Sequence, residues 1–306
     1  MNNVTERILS VLIPILLGWA LRLGRIFGDR EGDVLRSFVV RFALPVLVFF
    51  SMYDAGRDDI SAMPSMLASL VVLTAALFPL GLLCSRLFKG TGRRTAVHAC
   101  CTFGNYGWLG FGVAQVLLGE PGLRRAVFFC VLWWPVFYGF GLPIGLIHAR
   151  RERGGLPIWK AVRLATPVIS CLVAGFLFNL RGLRLPSLLE TTMRPLGEMT
   201  VPLILISVGM MLDLSGIRKA LAPALLVSAF TLLVAPLIGW ALAAVLTRDP
   251  TSYAVVILNA AMPVATLTPI LAENFEMDLD VTNTSIVLST LLSLITLPIV
   301  AYLVVA

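Results

Sequence analysis

The stretch FGNYGWLGFG, which runs from Phe103 to Gly112, contains four glycines and one asparagine within ten residues of an otherwise apolar segment. Each glycine destabilises a helix interior by about 1 kcal/mol relative to alanine. A helix that is loosened inside a bilayer also exposes backbone groups that find no water there, which is tolerated only where the backbone lines a protein-enclosed or wet cavity. The stretch therefore predicts an interrupted membrane-spanning helix.

The composition of the whole chain is that of a membrane protein. Of its 306 residues, 58% are hydrophobic and 13% are charged, and the mean hydropathy is +0.92. Soluble domains carry about 25% charged residues. Apolar runs of about 20 residues, each long enough to cross a bilayer, recur along the chain, and the alternating pattern of an outer-membrane barrel is absent. We therefore predict an all-α polytopic protein of the inner (plasma) membrane, without a cofactor or a metal ion.

Charged and turn-forming loops divide the chain into ten predicted spans. The N-terminal apolar stretch lacks a cleavage site of small residues, so it is interpreted as the first span rather than as a removed signal. The predicted spans are 8–27, 34–53, 64–88, 95–118, 124–147, 161–180, 191–212, 220–246, 252–275 and 282–305.

The basic residues predict how these spans are oriented. The net charge of +7 would suggest nucleic-acid binding in a soluble protein, but here it lies in short loops, where it sets topology. Loops after the odd-numbered spans, with their flanks, hold 15 Lys and Arg, and the other side holds 8. The excess marks the cytoplasmic side, so both termini are expected on the non-cytoplasmic side.

An internal repeat is indicated by the positions of helix-breaking residues. A shift of 157 residues aligns several of them without a gap: Gly18 with Gly175, Pro45 with Pro202, Thr74 with Thr231, and Pro79 with Pro236. The same shift places the centre of span 4 over NAAMPVATLTP (259–269), with Tyr106 opposite Pro263. We predict two five-span repeats, 1–153 and 154–306. Because five is odd, the second repeat must be inverted, as in many secondary transporters.

Several stretches resemble the auxin efflux carrier family, which includes plant auxin exporters and bacterial permeases associated with malate or malonate. The resemblance covers essentially the whole chain. In span 4, Asn105, Gly107 and Gly110 match the family's Asn-x-Gly-x-x-Gly-x-Pro pattern, although Gly112 replaces its proline, and Gly104 stands where plant members have another proline. The other matching stretches are IPILLGWALRLGRI (13–26), RFALPVLVFF (41–50), AAMPVATLTPILAENF (260–275) and LSTLLSLITLPI (288–299).

The resemblance implies a ten-span fold with a scaffold part and a transport part, in which broken spans 4 and 9 cross in an X at mid-membrane. It implies transport of small organic anions, above all carboxylates, by an elevator-like movement. A homodimer through the non-moving helices is typical of the family. The sodium–bile acid symporters share this general fold, but their sodium-site motifs are not evident here.

The predicted substrate site lies where the two broken spans meet. The start of a half-helix presents unpaired N–H groups and about half a positive charge, so two such ends can hold a carboxylate without a buried Lys or Arg. Side-chain amides and hydroxyls add polar contacts. The residues predicted to bind the substrate are Gly104, Asn105, Tyr106, Gly107, Asn259, Met262, Pro263, Thr266 and Thr268.

A few ionisable residues within the spans are functional candidates, because charges inside a membrane are costly. Arg41 and Glu198 are related by the 157-residue shift and could pair, or each could reach the interface or the backbone separately. Glu273 ends span 9 and is a proton carrier or an interfacial residue. His98 is a packed, hydrogen-bonded histidine or a proton relay.

The leading interpretation is therefore a secondary transporter of small organic anions. A sodium-coupled, bile-acid-like symporter and a ligand-binding membrane receptor that does not transport remain open. An enzyme is not indicated, because the chain lacks the HExxH and Gly-x-Ser-x-Gly signatures and any cofactor-binding signature.

Overall fold

The computed structural model describes residues 4–148, 158–212, 220–273 and 275–305, and the regular structure within these ranges is helical apart from one isolated bridge. The helices of the first half are α1 (Val4–Leu23), α2 (Asp29–Phe38), α3 (Leu44–Tyr53), α4 (Arg57–Ser85), α5 (Thr91–Thr102), α6 (Gly110–Cys130) and α7 (Trp133–His148). Those of the second half are α8 (Ile158–Leu180), α9 (Ser187–Glu198), α10 (Thr200–Met210), α11 (Leu221–Ala229), α12 (Ala235–Leu246), α13 (Pro250–Ala260) and α14 (Leu279–Val305).

Several of these helices have the length and apolar character of membrane spans. Among the described residues, five continuous helical stretches are long and apolar enough to cross a bilayer, namely α2 with α3, α4, most of α8, α11 with α12, and α14. A sixth is obtained if α6 and α7, which are bent by 41° relative to each other, count as one span. The all-helical membrane class that the sequence predicted is confirmed at this level, whereas the count of ten spans stays a prediction.

Prolines account for two of the irregular turns. A π-helical turn, Val39–Ala43, joins α2 to α3 just before Pro45, and the N–H of Leu44 bonds to the carbonyl of Val39. Pro45 cannot donate a helical hydrogen bond, and its ring would clash with the carbonyl four residues earlier. The wider π turn gives that ring room. A second π turn, Phe230–Val234, lies in the same way before Pro236.

The break predicted between spans 4 and 5 is present, because the non-helical residue Gly119 divides α6 into two helices that meet at a kink. Gly119 has φ of +70°, which is unfavourable for a residue with a Cβ, and helical structure resumes around Pro121. The predicted span 124–147 is in turn divided between α6 and α7. Pro135 lies in the first turn of α7. The N–H groups of a first turn have no partner within the helix, so proline breaks no helical hydrogen bond there.

The structure corrects the expectation of two matched half-helices at the crossing. After its break, span 4 continues as the long helix α6, but span 9 continues only as a short 3₁₀ helix, Thr268–Glu273. Pro269 sits at the second position of that helix, and the segment ends before residue 275. A helix this short provides little dipole, so the positive helix end at the crossing belongs to α6.

The helices pack in two groups. The first group consists of α1, α2, α3, α8, α9 and α10, and the second consists of α4 to α7 and α11 to α14. Contacts between the groups run mainly through α1, α3 and α10 against α6, and through α7 against α8. The two interrupted segments both belong to the second group.

Close helix approaches inside the first group depend on two glycines. A Cβ at Gly18 of α1 would collide with the carbonyl of Ile206 in α10. A Cβ at Gly175 of α8 would collide in the same way with the carbonyl of Phe49 in α3. Small residues allow such close backbone approach between helices.

Candidate functional site

The two interrupted segments, residues 103–109 and 261–267, meet as a short antiparallel pair. Gly104 and Val264 form an isolated β-bridge. The N–H of Asn105 donates to the carbonyl of Pro263 at 2.8 Å, and the N–H of Ala265 donates to the carbonyl of Phe103 at 2.9 Å. These bonds satisfy backbone groups that breaking the two helices would otherwise leave unpaired.

Each interrupted segment has its own further anchor. In the first segment, the carbonyl of Asn105 accepts from the N–H groups of Leu109 and Gly110, which opens α6. In the second, the N–H of Val264 donates to the hydroxyl of Ser289 on α14 at 3.1 Å. The crossing is thus held by the backbone, and the side chains of the two segments remain available for other contacts.

A cavity of about 700 Å³ lies beside the first segment, between the two helix groups. The first group contributes apolar side chains to its wall, and the second contributes the crossing and five aromatic residues. The lining residues include Val39, Val40, Leu44, Val48, Val168 and Ile204 from the first group, and Gly104, Asn105, Tyr106, Gly107, Trp108, Trp133 and Trp134 from the second.

The Asn105 side chain is the principal polar group at this cavity. It is 1% exposed, and neither its amide oxygen nor its amide nitrogen has a hydrogen-bond partner among the described residues. Leaving a buried polar group unpaired costs about 1–3 kcal/mol. A buried amide that lines a cavity without a partner is therefore a candidate ligand-binding group.

Four of the nine predicted binding residues line the cavity: Gly104, Asn105, Tyr106 and Gly107. The other five, Asn259, Met262, Pro263, Thr266 and Thr268, are buried in or beside the second segment but do not line it. The hydroxyl of Thr268 donates to the carbonyl of Ala265, so it stabilises the turn into the 3₁₀ helix. The second segment contributes Ala265 and Leu267 to the wall instead.

Asn259 packs against the first turn of α6. A Cβ at Gly110 would collide with its amide oxygen, so a glycine at this position makes room for the amide. Asn259 is 1% exposed, and its amide also lacks a partner within the described part of the chain. The two asparagines thus share burial and chemistry, but only Asn105 faces the cavity.

The Trp side chains of the cavity were not predicted as site residues. Trp133 and Trp134 lie at the start of α7, and the Trp133 ring stacks on Phe137 with centroids 4.6 Å apart. Trp108 belongs to the quoted glycine-rich stretch. Their common position is decided by the bend between α6 and α7, which has no local sequence signature beyond Pro135.

Among the charged candidates, Arg41 and Glu198 do not pair. Both side chains are exposed, and no ion pair within 4.0 Å joins them, although both lie in described ranges. Glu198 borders a separate cavity of about 430 Å³, together with Arg124 and Arg194. Glu273 is exposed at the end of the 3₁₀ helix. The alternative of separate charges fits the positions of Arg41 and Glu198, because both are exposed and unconnected.

His98 is fully buried, and both ring nitrogens lie within hydrogen-bond distance of a partner. Its Nε2 is 2.9 Å from the carbonyl oxygen of Phe78, and its Nδ1 is 3.0 Å from Nε2 of His148. The packed, hydrogen-bonded interpretation of His98 matches this geometry. No feature of the sequence indicates that the second partner is the other histidine, 50 residues away.

Comparisons with known proteins agree with this architecture. Residues 3–153 and 156–301 match the family described as "Membrane transport protein". The chain is 32% identical over 302 residues to an uncharacterized transporter of Methanothermobacter thermautotrophicus, with 96% of each chain covered. It is 25% identical to an uncharacterized transporter of Methanocaldococcus jannaschii, with 94% of each covered. A transporter of Escherichia coli K12 is 28% identical over 144 residues, with 45% of this chain and 44% of that protein covered.

Proposed function

Because the chain belongs to the membrane transport protein family, which is auxin efflux carrier-like, we propose that it is a secondary transporter of small organic anions. The proposed substrate is a carboxylate held beside the crossing of the two interrupted segments. The family and the apolar helices make the chain a multi-pass membrane protein. The proposal adds to this the substrate class, the site and the mode of transport.

The unpartnered amide of Asn105 at the wall of the cavity carries the proposal. Its nitrogen can donate to a carboxylate oxygen, and a hydrogen bond to a charged group contributes about 1.5–3 kcal/mol. The first turn of α6 adds the positive end of a helix dipole near the same place, because Gly110 follows Asn105 by five residues. Together they provide one anion-binding position without a lysine or arginine.

The rest of the wall favours a substrate with a large apolar part. Among the described residues that line the cavity, none is charged and most are Val, Leu, Ile or Trp. A second carboxylate of the substrate would be transferred from water to this apolar wall without gaining a hydrogen-bond partner, which costs several kcal/mol. A monocarboxylate with an aromatic or branched aliphatic body satisfies both parts of the cavity.

The proposed topology is ten spans in two inverted repeats, with both termini on the non-cytoplasmic side. The glycine contacts of the first group support it. The shift of 157 residues takes Gly18 forward to Gly175 and takes Ile206 back to Phe49. The contact of Gly18 with Ile206 therefore has its counterpart in the contact of Gly175 with Phe49. A two-fold axis relating the repeats would produce this exchange. In the same register, α5 ends at Thr102 and α13 ends at Ala260.

The proposed mechanism is an elevator-like movement of one helix group against the other. The cavity lies at the boundary between the groups, while the crossing belongs wholly to the second group. Sliding the second group along the first would therefore carry the Asn105 position from one side of the membrane towards the other. The described lining residues of the π turn Val39–Ala43, of α3, of α8 and of α10 are all apolar, so none of them would hold the anion back.

Two measurements on the purified protein test this function. A thermal-shift screen should show stabilisation by aryl and branched aliphatic monocarboxylates, because a ligand at 100 times its Kd stabilises by about 2.7 kcal/mol. The uncharged amide of the same acid is the matched ligand control and should stabilise little. Counterflow in proteoliposomes then separates transport from mere binding. Binding without counterflow would contradict transport and favour a receptor, and the absence of stabilisation by any carboxylate would contradict the substrate class.

A further inference from the structure

A buried pair of histidines joins three helices of the second group. His98 lies on α5 and is fully buried, and His148 is the last residue of α7 and is half-buried. The Nδ1 atom of His98 lies 3.0 Å from the Nε2 atom of His148, and its Nε2 atom lies 2.9 Å from the Phe78 carbonyl of α4. These are the only two histidines of the chain.

The Phe78 carbonyl determines where the protons of this pair sit. A carbonyl oxygen can only accept, so Nε2 of His98 must carry a hydrogen. In the neutral ring, Nδ1 of His98 is then an acceptor, and Nε2 of His148 must donate to it. Nδ1 of His148, on the half-buried ring, is the remaining basic nitrogen of the pair.

This arrangement can take up one proton without losing a hydrogen bond. A proton that binds to Nδ1 of His148 leaves both existing hydrogen bonds in place. The Nε2 proton of His148 can then move to Nδ1 of His98, which transfers the positive charge to the buried ring. Binding of a second proton is unfavourable, because Nδ1 of His98 and Nε2 of His148, which face each other, would then both carry hydrogens. The pair therefore has a capacity of one proton.

The groups that face the pair contain no carboxylate that would hold it charged at rest. Within the described ranges, no ion pair joins an acidic side chain to either imidazole. The aromatic ring of Phe78 lies 4.7 Å from the His98 ring, centroid to centroid, and α7 holds no other charged residue. The titratable groups on the packed elements include Arg93, Arg94, Cys100 and Cys101 of α5, Arg57, Asp58, Asp59 and Cys84 of α4, Tyr138 of α7, Arg163 of α8, and Glu273, Glu276 and Asp278 of the segment beside α7. Arg94 acts electrostatically on His148 and opposes a positive charge on that ring.

The pair is connected to the cavity through the helices that it joins. His98 lies about one turn before Thr102, the last residue of α5, and Asn105 follows in the crossing. The other helix, α7, begins with the cavity residues Trp133 and Trp134. A positive charge on His98 would attract an anion at the crossing through surroundings of low polarity.

We infer that the His98–His148 pair is the binding site of the coupling ion, a proton, taken up with each anion. This inference rests on the proposed function. Because coupling between two binding sites is reciprocal, proton uptake at the pair raises anion affinity, and anion binding raises proton affinity at the pair. One proton then accompanies one monovalent anion, and a pH gradient of one unit drives about tenfold accumulation.

The first experiment measures the proton site without transport. Protein labelled with ¹⁵N-histidine, purified without a histidine tag, gives ring signals from these two residues alone. We expect one protonation step shared by both rings between pH 5 and 8.5, shifted to higher pH by the bound aryl carboxylate. His148→Gln can still donate to His98 but cannot take the proton, so the shared step should vanish. Two independent steps, or rings that stay neutral throughout, would overturn the site.

The second experiment measures coupling in proteoliposomes. Wild-type protein should accumulate the carboxylate in response to an imposed pH gradient, and His98→Gln and His148→Gln should lose this accumulation while counterflow continues. In the wild type, the Kd of the anion should decrease as the pH is lowered from 8 to 6, and in both variants it should stay constant.

Counterflow without any response to the gradient would overturn the proton site alone. Loss of wild-type counterflow would contradict the proposed function, and the ¹⁵N titration would still decide whether the pair binds a proton. Variants that keep gradient-driven accumulation would also overturn the inference.

Discussion

The two interrupted segments occupy matching places in the two halves of the chain, yet the structure gives them different surroundings. Residues 103–109 line the cavity and lead into the long helix α6. Residues 261–267 are bound to α14 through Ser289 and lead only into a short 3₁₀ helix. Equivalent helix breaks therefore do not imply equivalent chemistry. The first segment carries the candidate ligand group, and the second supports the first.

The largest effect is expected where the helices next to the two segments, α6 and α13, contact each other closely. Gly110→Ala should destabilise the protein by about 1–3 kcal/mol, because its Cβ collides with the Asn259 amide in a packed interior. Adding Asn259→Ala should recover much of that loss, so the double-mutant cycle should be strongly non-additive. Thermal or denaturant unfolding in detergent measures both. Additive losses would mean that the two segments do not meet at this contact.

A comparison of the two asparagines tests the division of roles directly. Asn105→Ala should weaken carboxylate binding about 10- to 100-fold, which corresponds to the hydrogen bond lost to a charged group. It should cost little stability, since the amide has no protein partner. Asn259→Ala is the matched control, equally buried and outside the cavity lining, and its affinity should change about twofold or less. Equal losses of affinity in both variants would contradict the proposed roles.

A smaller effect is expected from the proline of the second segment. Pro263→Ala should lower the rate of transport several-fold with a modest change in affinity, because an added N–H lets α13 extend towards the crossing. The carbonyl of residue 263, which accepts from the Asn105 N–H, is retained in this variant. Counterflow rates measured beside thermal-shift affinities separate the two effects. A wild-type rate would show that the break does not require this proline.

The smallest effect concerns the charged residues that precede the matching prolines. Arg41→Ala and Glu198→Ala should change stability independently, and their double-mutant cycle should be additive within about 0.5 kcal/mol. The reason is that both side chains are exposed and form no ion pair with each other. A coupling energy well above that value would restore the pair that their repeat-related positions suggested.

Much of the fold could be predicted because it depends on local signals. The breaks at the crossing follow from glycine and proline, which act on their own turn of backbone. The break between predicted spans 4 and 5 follows for the same reason. Gly119 permits a backbone conformation with φ of +70°, and Pro121 is tolerated early in the helix that follows.

The candidate site could be predicted only in part. Asn105 was found because an amide in a glycine-rich span is unusual, and it does line the cavity. Thr266 and Thr268 were chosen on the same reasoning, but hydroxyls in helices commonly bond to nearby carbonyls, as Thr268 does. The apolar half of the wall, from Val39 to Ile204, has no distinguishing sequence feature, because valine and leucine are expected anywhere in a membrane span.

The sequence by itself determined the membrane class, the two breaks and the family, since hydropathy, helix breakers and motifs are properties of short segments. Only the tertiary structure decided which asparagine faces the cavity, that Arg41 and Glu198 stay apart, and that His98 meets His148. These outcomes depend on which faces of distant helices come together. That choice is made by the packing of the whole helix groups, so no short segment contains it.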